Sequence, residues 1–232
     1  TQWVIEDDFA SGRPAFEAAG AQMVEEVEAY ELMKLRMLNG SHSTLAYLGY
    51  LAGHQYVSDA IGDPAIRKLI HGLMTEEAMP TLPMPRADLE RYRDALLARF
   101  ANPALKHRTW QIAMDGSQKL PQRLLGTIRD QLKVGGSFTR LALGVAGWMR
   151  YITGTDETGA PIEVKDPMAI RLRGIADAAG PNAARLSREL LEVTEIFGTD
   201  LAANGPFSEE VATHLAELFA NGAAATVAKV AG

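Results

Sequence analysis

Lys34, Asn39 and His42 stand close together in the segment Lys34-Leu35-Arg36-Met37-Leu38-Asn39-Gly40-Ser41-His42-Ser43, inside an otherwise apolar helical pattern. At about 100° per residue, Asn39 falls about 140° and His42 about 80° round a helix axis from Lys34, so the three project into one broad arc. A lysine amine exchanges a proton, an asparagine amide donates to a developing oxyanion, and a histidine holds a hydroxyl. Together they suit chemistry at a carbinol or carbonyl carbon. Taken singly, each has an ordinary reading: a solvated lysine, an Asn bonded to a backbone carbonyl, a satisfied core histidine.

A second polar constellation runs from His107 to Arg123. Arg108, Lys119 and Arg123 bring positive charge, and an arginine fork suits a carboxylate. Asp115-Gly116-Ser117 reads equally as a helix stop with a new cap or, at Asp115, as a substrate contact. Trp110 and Trp148 read as core aromatics.

The elements that must position these groups are almost all helices. Met33, Met37, Leu38, Leu45 and Leu48 recur at helical spacing and predict one long helix over 27–53, with Gly40 its weak point. That glycine admits either a close approach by substrate or a neighbouring helix, or plain packing. Asp63-Pro64 opens a helix to about 78, and Pro80, Pro83 and Pro85 make a linker. Further helices are expected over 87–100, 104–114, 121–133, 138–153, 167–178 and 182–197, with Ser208 capping a last one. Residues 155–167 form the longest polar excursion, with a short hairpin about Ile162-Glu163-Val164. The small residues of Leu141 to Trp148 mark a closely packed core helix, and Arg150 and Tyr151 are expected at a pocket rim. Gln2-Trp3-Val4-Ile5 reads as a strand followed by a loop, and a start at Thr1 in mid-strand suggests a piece of a longer chain.

Composition narrows the function classes. The 232 residues are 47% apolar, enough for one sizeable core. A net charge of -6 with no Lys/Arg run argues against nucleic acid or an anionic membrane as partner. With no cysteine there is no disulfide framework, thiolate metal site or thiol catalysis, which fits a cytoplasmic location. No apolar run is long enough to span a bilayer. His54, His71, His107 and His214 show no HxxxH or HExxH spacing, so no metal is expected. No GxGxxG follows a strand and no P-loop occurs, so the chain is not expected to bind a nicotinamide dinucleotide by itself.

KLRMLNGSHS, with WVIEDDFASGRP before it and HRTWQIAMDGSQKLPQR and LALGVAGWMRY after it, resembles the C-terminal half of the long-chain mannitol dehydrogenase family, nearest its fructuronate reductase (mannonate oxidoreductase) branch. The resemblance implies an all-α, multi-helical C-terminal domain like that of 6-phosphogluconate dehydrogenase-type enzymes. It makes 1–26 a remnant or linker from an upstream dinucleotide-binding domain and 27–232 the substrate-binding and catalytic domain. It implies NAD as cofactor, held mainly by an upstream Rossmann domain of the same parent chain, with no catalytic metal. Lys34 would be the acid-base, Asn39 the donor to the reacting oxygen and His42 the group that orients substrate, with Arg108, Asp115 and Lys119 binding it. To act as a base near neutral pH, Lys34 must give up its proton readily, which desolvation by Met33, Met37 and Leu38 or by a bound cofactor favours. The implied substrates are D-mannonate and D-fructuronate, with D-mannitol and D-fructose next. The competing expectation, from the missing dinucleotide fingerprint, is a stand-alone helical binding module without catalysis.

Overall fold

The computed structural model describes residues 3–232, of which 71% are helical and 4% strand, in agreement with the all-α expectation. Near the start, β1 (Val4–Glu6) pairs in parallel with β2 (Gln22–Val24), Val4 opposite Gln22. A parallel pair needs a long crossover, and this one passes through a 3-10 turn at Phe16–Ala19, where Phe16 meets the rings of Trp3 (5.8 Å) and Phe9 (6.1 Å). Gln2 of the expected strand lies outside the described residues. The sequence did not announce β2, because three residues are too few to display alternation.

The long helix is real but not uniform. α1 (Glu28–Met33) runs into a π turn over Lys34–Asn39 and then α2 (Gly40–Leu51). The Gly40 N–H donates to the Leu35 carbonyl, five residues back. Two more π turns occur among the described residues. One, Leu73–Ala78, continues α4 (Pro64–Gly72). The other, Pro121–Leu125, joins α7 (Gly116–Leu120) to α8 (Gly126–Val134). Here the cause is plain: Pro121 lacks an N–H and its ring crowds the preceding turn, and the widened turn absorbs both. The helix expected from 121 therefore begins at Gly116.

α3 (Val57–Gly62) was not expected; Asp63 then caps α4, accepting from the N–H groups of Ala65 (2.7 Å) and Ile66 (3.2 Å). α5 spans Arg86–Phe100. The helix expected over 104–114 is broken into a 3-10 turn at Pro103–Leu105 and a short α6 (Thr109–Ala113). The backbone between them is spent elsewhere: Val57 N–H donates to His107 O (2.9 Å) and Thr109 N–H to Gln55 O (3.0 Å), a bridge no helix could share. α9 (Thr139–Tyr151), α10 (Ala169–Ala179), α11 (Ala183–Leu191), α12 (Thr194–Ala202) and α13 (Gly205–Ala231) complete the chain. The single helix expected over 182–197 is divided at Glu192-Val193. The last helix is capped by Asn204, which accepts from Phe207 N–H (2.9 Å), and not by Ser208, whose hydroxyl donates to Gly205 O.

α9 is the centre, buried from Leu141 to Ile152 and packed between α2 and α13. A Cβ on Gly144 would lie 2.5 Å from Thr44 Oγ1, and one on Gly147 2.9 Å from Leu48 Cδ2. The bare backbone lets α2 approach, as the small-residue pattern predicts. Trp148 is in the core as expected, whereas Trp110 is half-buried with the Lys165 ammonium 5.3 Å from its ring centre. Arg150 and Tyr151 are not at a rim. Both are buried, and Arg150 donates to Thr153 Oγ1 (2.8 Å) and Thr155 O (2.6 Å), tying down the polar excursion. None of the described helices is long and apolar enough to cross a membrane.

Candidate active site

From Lys34 to Gly49 the chain is buried at every position except Lys34, Leu35, Asn39 and His42. An otherwise enclosed helix thus leaves open the stripe that carries the three polar candidates. The π turn sharpens their alignment. With a hydrogen bond reaching five residues back, Asn39 comes over Lys34, so the arc is narrower than the 100° rule allows. Eight residues at about 1.5 Å each separate Lys34 from His42 by on the order of 10 Å along the axis.

The ends of the stripe differ. Lys34 is exposed and lines a cleft of about 260 Å³ with Trp3, Val4, Val27, Tyr30 and Glu31, beside β1. Met33, Met37 and Leu38, expected to desolvate it, are buried in the core while Lys34 itself stays exposed. Asn39 is half-buried. His42 is held between Phe100 (ring centroids 4.7 Å, stacked) and His107 (5.9 Å, edge-on). Burial, then the nearby His107, Arg123 and Arg99, pushes the His42 imidazolium down to about 3, so His42 is neutral at ordinary pH. Its Nε2 is buried with no protein partner.

Gly40 lies between the two ends, where the structure favours helix packing: a Cβ there would stand 2.7 Å from the Arg123 carbonyl oxygen. Arg123 in turn donates to Ser43 Oγ (3.1 Å), and its partial burial lowers its affinity for a proton.

The other candidates lie along α6 and α7: Arg108 just before α6, Asp115 in the break between the two helices and Lys119 in the last turn of α7. Arg108, half-buried, lays its guanidinium over Tyr56 at 5.5 Å. Lys119 donates to Met114 O (2.5 Å) and lies 3.7 Å from Asp115 Oδ2; burial, followed by Arg123, lowers its proton affinity. Such a lysine satisfies the last carbonyls of α6. Asp115 adopts a left-handed backbone (φ 56°) as the helix stop, but its side chain caps nothing. The cap comes from Asp166, which accepts from Ser117 N–H (2.8 Å) and Oγ (2.6 Å) and from Met168 N–H (2.8 Å). Sequence reasoning missed Asp166, although Asp166-Pro167 carries the same signal as Asp63-Pro64. No cluster of three or more His, Cys, Asp or Glu side chains among the described residues is placed to hold a metal ion.

The mannitol dehydrogenase C-terminal domain model matches residues 26–219. The chain belongs to this family. It is 52% identical over 228 residues to a D-mannonate oxidoreductase of Escherichia coli K12, covering 98% of this chain and 46% of that one. It is 53% identical over 228 residues to the uncharacterized oxidoreductase YdfI of the same organism, covering 98% and 47%. Among solved structures, mannitol 2-dehydrogenase of Pseudomonas fluorescens, in ternary complex with NAD and D-mannitol, superposes with a TM-score of 0.90 at 36% identity over 99% of this chain and 46% of that one. The chain therefore spans about half the length of the relatives it matches.

Proposed function

We propose that this chain is the substrate-binding and proton-exchanging half of an NAD-dependent oxidoreductase that interconverts a secondary alcohol and a ketone on a sugar acid or polyol, with D-mannonate and D-fructuronate favoured over D-mannitol and D-fructose. The observation that carries the reading is the open Lys34, Asn39 and His42 stripe on a helix otherwise buried through Gly49. Greater identity to a mannonate oxidoreductase (52%) than to the mannitol 2-dehydrogenase (36%) supports the sugar acid.

The described residues do not fit a nicotinamide dinucleotide: their sheet is two three-residue strands, without the glycine-rich strand-to-helix turn that receives a pyrophosphate. NAD, which supplies the hydride chemistry, is assigned to an upstream Rossmann domain in the parent chain. What remains here is proton handling and orientation. The Lys34 amine takes the proton from the substrate hydroxyl during oxidation and returns it to that oxygen in reduction. The Asn39 amide donates to the same oxygen as charge develops on it. Neutral His42 holds a hydroxyl further along the substrate, and Arg108, Asp115 and Lys119 wall the far end from the α6–α7 side.

The test is Lys34→Ala in the parent enzyme, assayed by NADH oxidation with D-fructuronate and with D-fructose. A positioned acid-base contributes about 10²- to 10⁴-fold, and a loss of that size in kcat with an unchanged Tm is expected. Near-normal turnover would remove Lys34 from the mechanism.

A further inference from the structure

Arg123 carries a charge that the described residues do not neutralise. Its carbonyl oxygen packs at Gly40, the neighbour of Asn39, and its side chain follows the flank of the stripe as far as Ser43, the neighbour of His42, donating from Nη1 to Ser43 Oγ (3.1 Å). The charge bears on His42, on buried Tyr47 and, four residues earlier in its own segment, on Lys119. Ser43 Oγ is the one acceptor the described residues give this guanidinium: Nε is enclosed without a partner, and no carboxylate pairs with it. Comparable arginines elsewhere are provided for. Arg36, Arg129 and Arg140 meet Asp130, Asp200 and Glu77, and Arg150 meets Thr153 Oγ1 and the carbonyls of Thr155 and Asp156. A guanidinium has several N–H donors and no acceptor, and a half-buried charge short of acceptors is unfavourable. Arg123 is such a group, standing beside the open stripe.

We propose that Arg123 is a further substrate-contact residue, whose spare Nη N–H groups donate to an oxygen of the ligand lying over the span from Asn39 to His42. This rests on the proposed function and adds a residue to its site. Asn39 and His42 are both half-buried on an open face of the helix, so the ligand is met along a flank and not in an enclosed cavity. Lys34 and Asn39 take the oxygen on the reacting carbon, and Arg123 takes one further along. The bond to Ser43 fixes the aim of the guanidinium, and the contact of its carbonyl with Gly40 leaves its backbone no room to approach closer. Arg108 and Lys119, the other cations here, are already engaged. Lys119 donates to Met114 O and lies beside Asp115, and Arg108 faces the Tyr56 ring.

The experiment uses the full-length parent enzyme with Arg123→Gln, with Ser43→Ala, which removes the acceptor in the chain and keeps the cation, and with Arg171→Gln as the control for net charge. Steady-state kinetics on D-fructuronate and D-fructose are measured alongside thermal shift with D-mannonate and D-mannitol. In Arg123→Gln, KM should rise about tenfold or more, the worth of a hydrogen bond to a charged group. Its kcat should move by less than about threefold, because the contact is away from the reacting carbon. Ser43→Ala and Arg171→Gln should keep the KM of the unmodified enzyme. A rise on both ketoses assigns the contact to a hydroxyl they share, and a rise on D-fructuronate alone assigns it to the carboxylate. An unchanged KM on both, or equal rises in Arg123→Gln and Ser43→Ala, makes Arg123 a structural clamp and overturns the proposal. If Arg123→Gln does not fold, Arg123→Lys, which keeps the charge and loses the fork, is read by the same KM comparison. An enzyme silent on both ketoses fails the oxidoreductase reading. Arg123 then stands if D-mannonate or D-mannitol raises the Tm of the unmodified enzyme but not of Arg123→Gln, and is overturned otherwise.

Discussion

The π turns at Lys34–Asn39 and Leu73–Ala78 share a backbone form and treat their polar side chains in opposite ways. The first keeps Lys34, Asn39 and, one turn on, His42 open or half-open, with His42 Nε2 unpartnered. The second drives Glu77 to complete burial and then saturates it. Its carboxylate accepts from the N–H groups of Arg140 (2.9 Å) and Leu141 (2.9 Å), at the positive N-terminus of α9, and from the Arg140 guanidinium (3.3 Å). Burial pushes the Glu77 carboxyl up while those donors pull it down. A π turn by itself is therefore no mark of a site. What separates the two is whether the polar atoms it presents already have partners within the chain. Saturated groups hold the fold together, and the proposed function gives the open stripe of Lys34, Asn39 and His42 to the substrate.

Substitutions can break this contrast. The largest effect on stability is expected at Glu77. Glu77→Ala strips two buried N–H groups and Arg140 of their acceptor, and should cost about 3–5 kcal/mol by denaturant unfolding. Lys34→Ala should leave the unfolding midpoint where it was, so a large stability loss at Lys34 would erase the distinction. Next is Gly40→Ala, whose new Cβ meets a backbone carbonyl that cannot swing aside. It should cost about 1–3 kcal/mol, whereas Gly126→Ala just after the third π turn, with its nearest neighbour at 3.7 Å, should be tolerated. The smallest effect is read in pH. His42 takes its proton only near 3 in the folded chain and near 6.5 when unfolded, so between those values the unfolded state binds more protons and stability falls as pH falls. Comparing His42→Gln with the unmodified chain from pH 6.5 to 5 should flatten that fall by up to about 1.4 kcal/mol per unit. His71 and His214, also pushed down by burial, contribute a slope of the same sign in both.

Much of the scaffold was legible from local signals. Periodicity located the helix over 27–53, Asp63-Pro64 marked the start of α4, and Gly144 with Gly147 announced the close crossing of α2 and α9. The failures were competitions. Residues 107–109 had helical character but gave their backbone to the 54–57 segment, and Ser208 lost to Asn204 because Asn-Gly-Pro sets the turn first. At the site, the types and spacing of Lys34, Asn39 and His42 stood out, but the partners of Lys119 and the neighbours of His42 did not. Arg99 lies 57 positions from His42, and nothing local links them.

The sequence by itself determined the helical class, the family and the residue types available for chemistry, because periodicity, caps and motif spacing are encoded within a turn or two of chain. Only the tertiary structure decided which of those polar groups are spent and which are left over. Partner atoms arrive from segments distant in sequence: Glu77 meets α9, Asp166 caps α7, and Arg99 and His107 close on His42. Satisfaction of a hydrogen-bonding group depends on what folds against it, and that is a property of the packed chain.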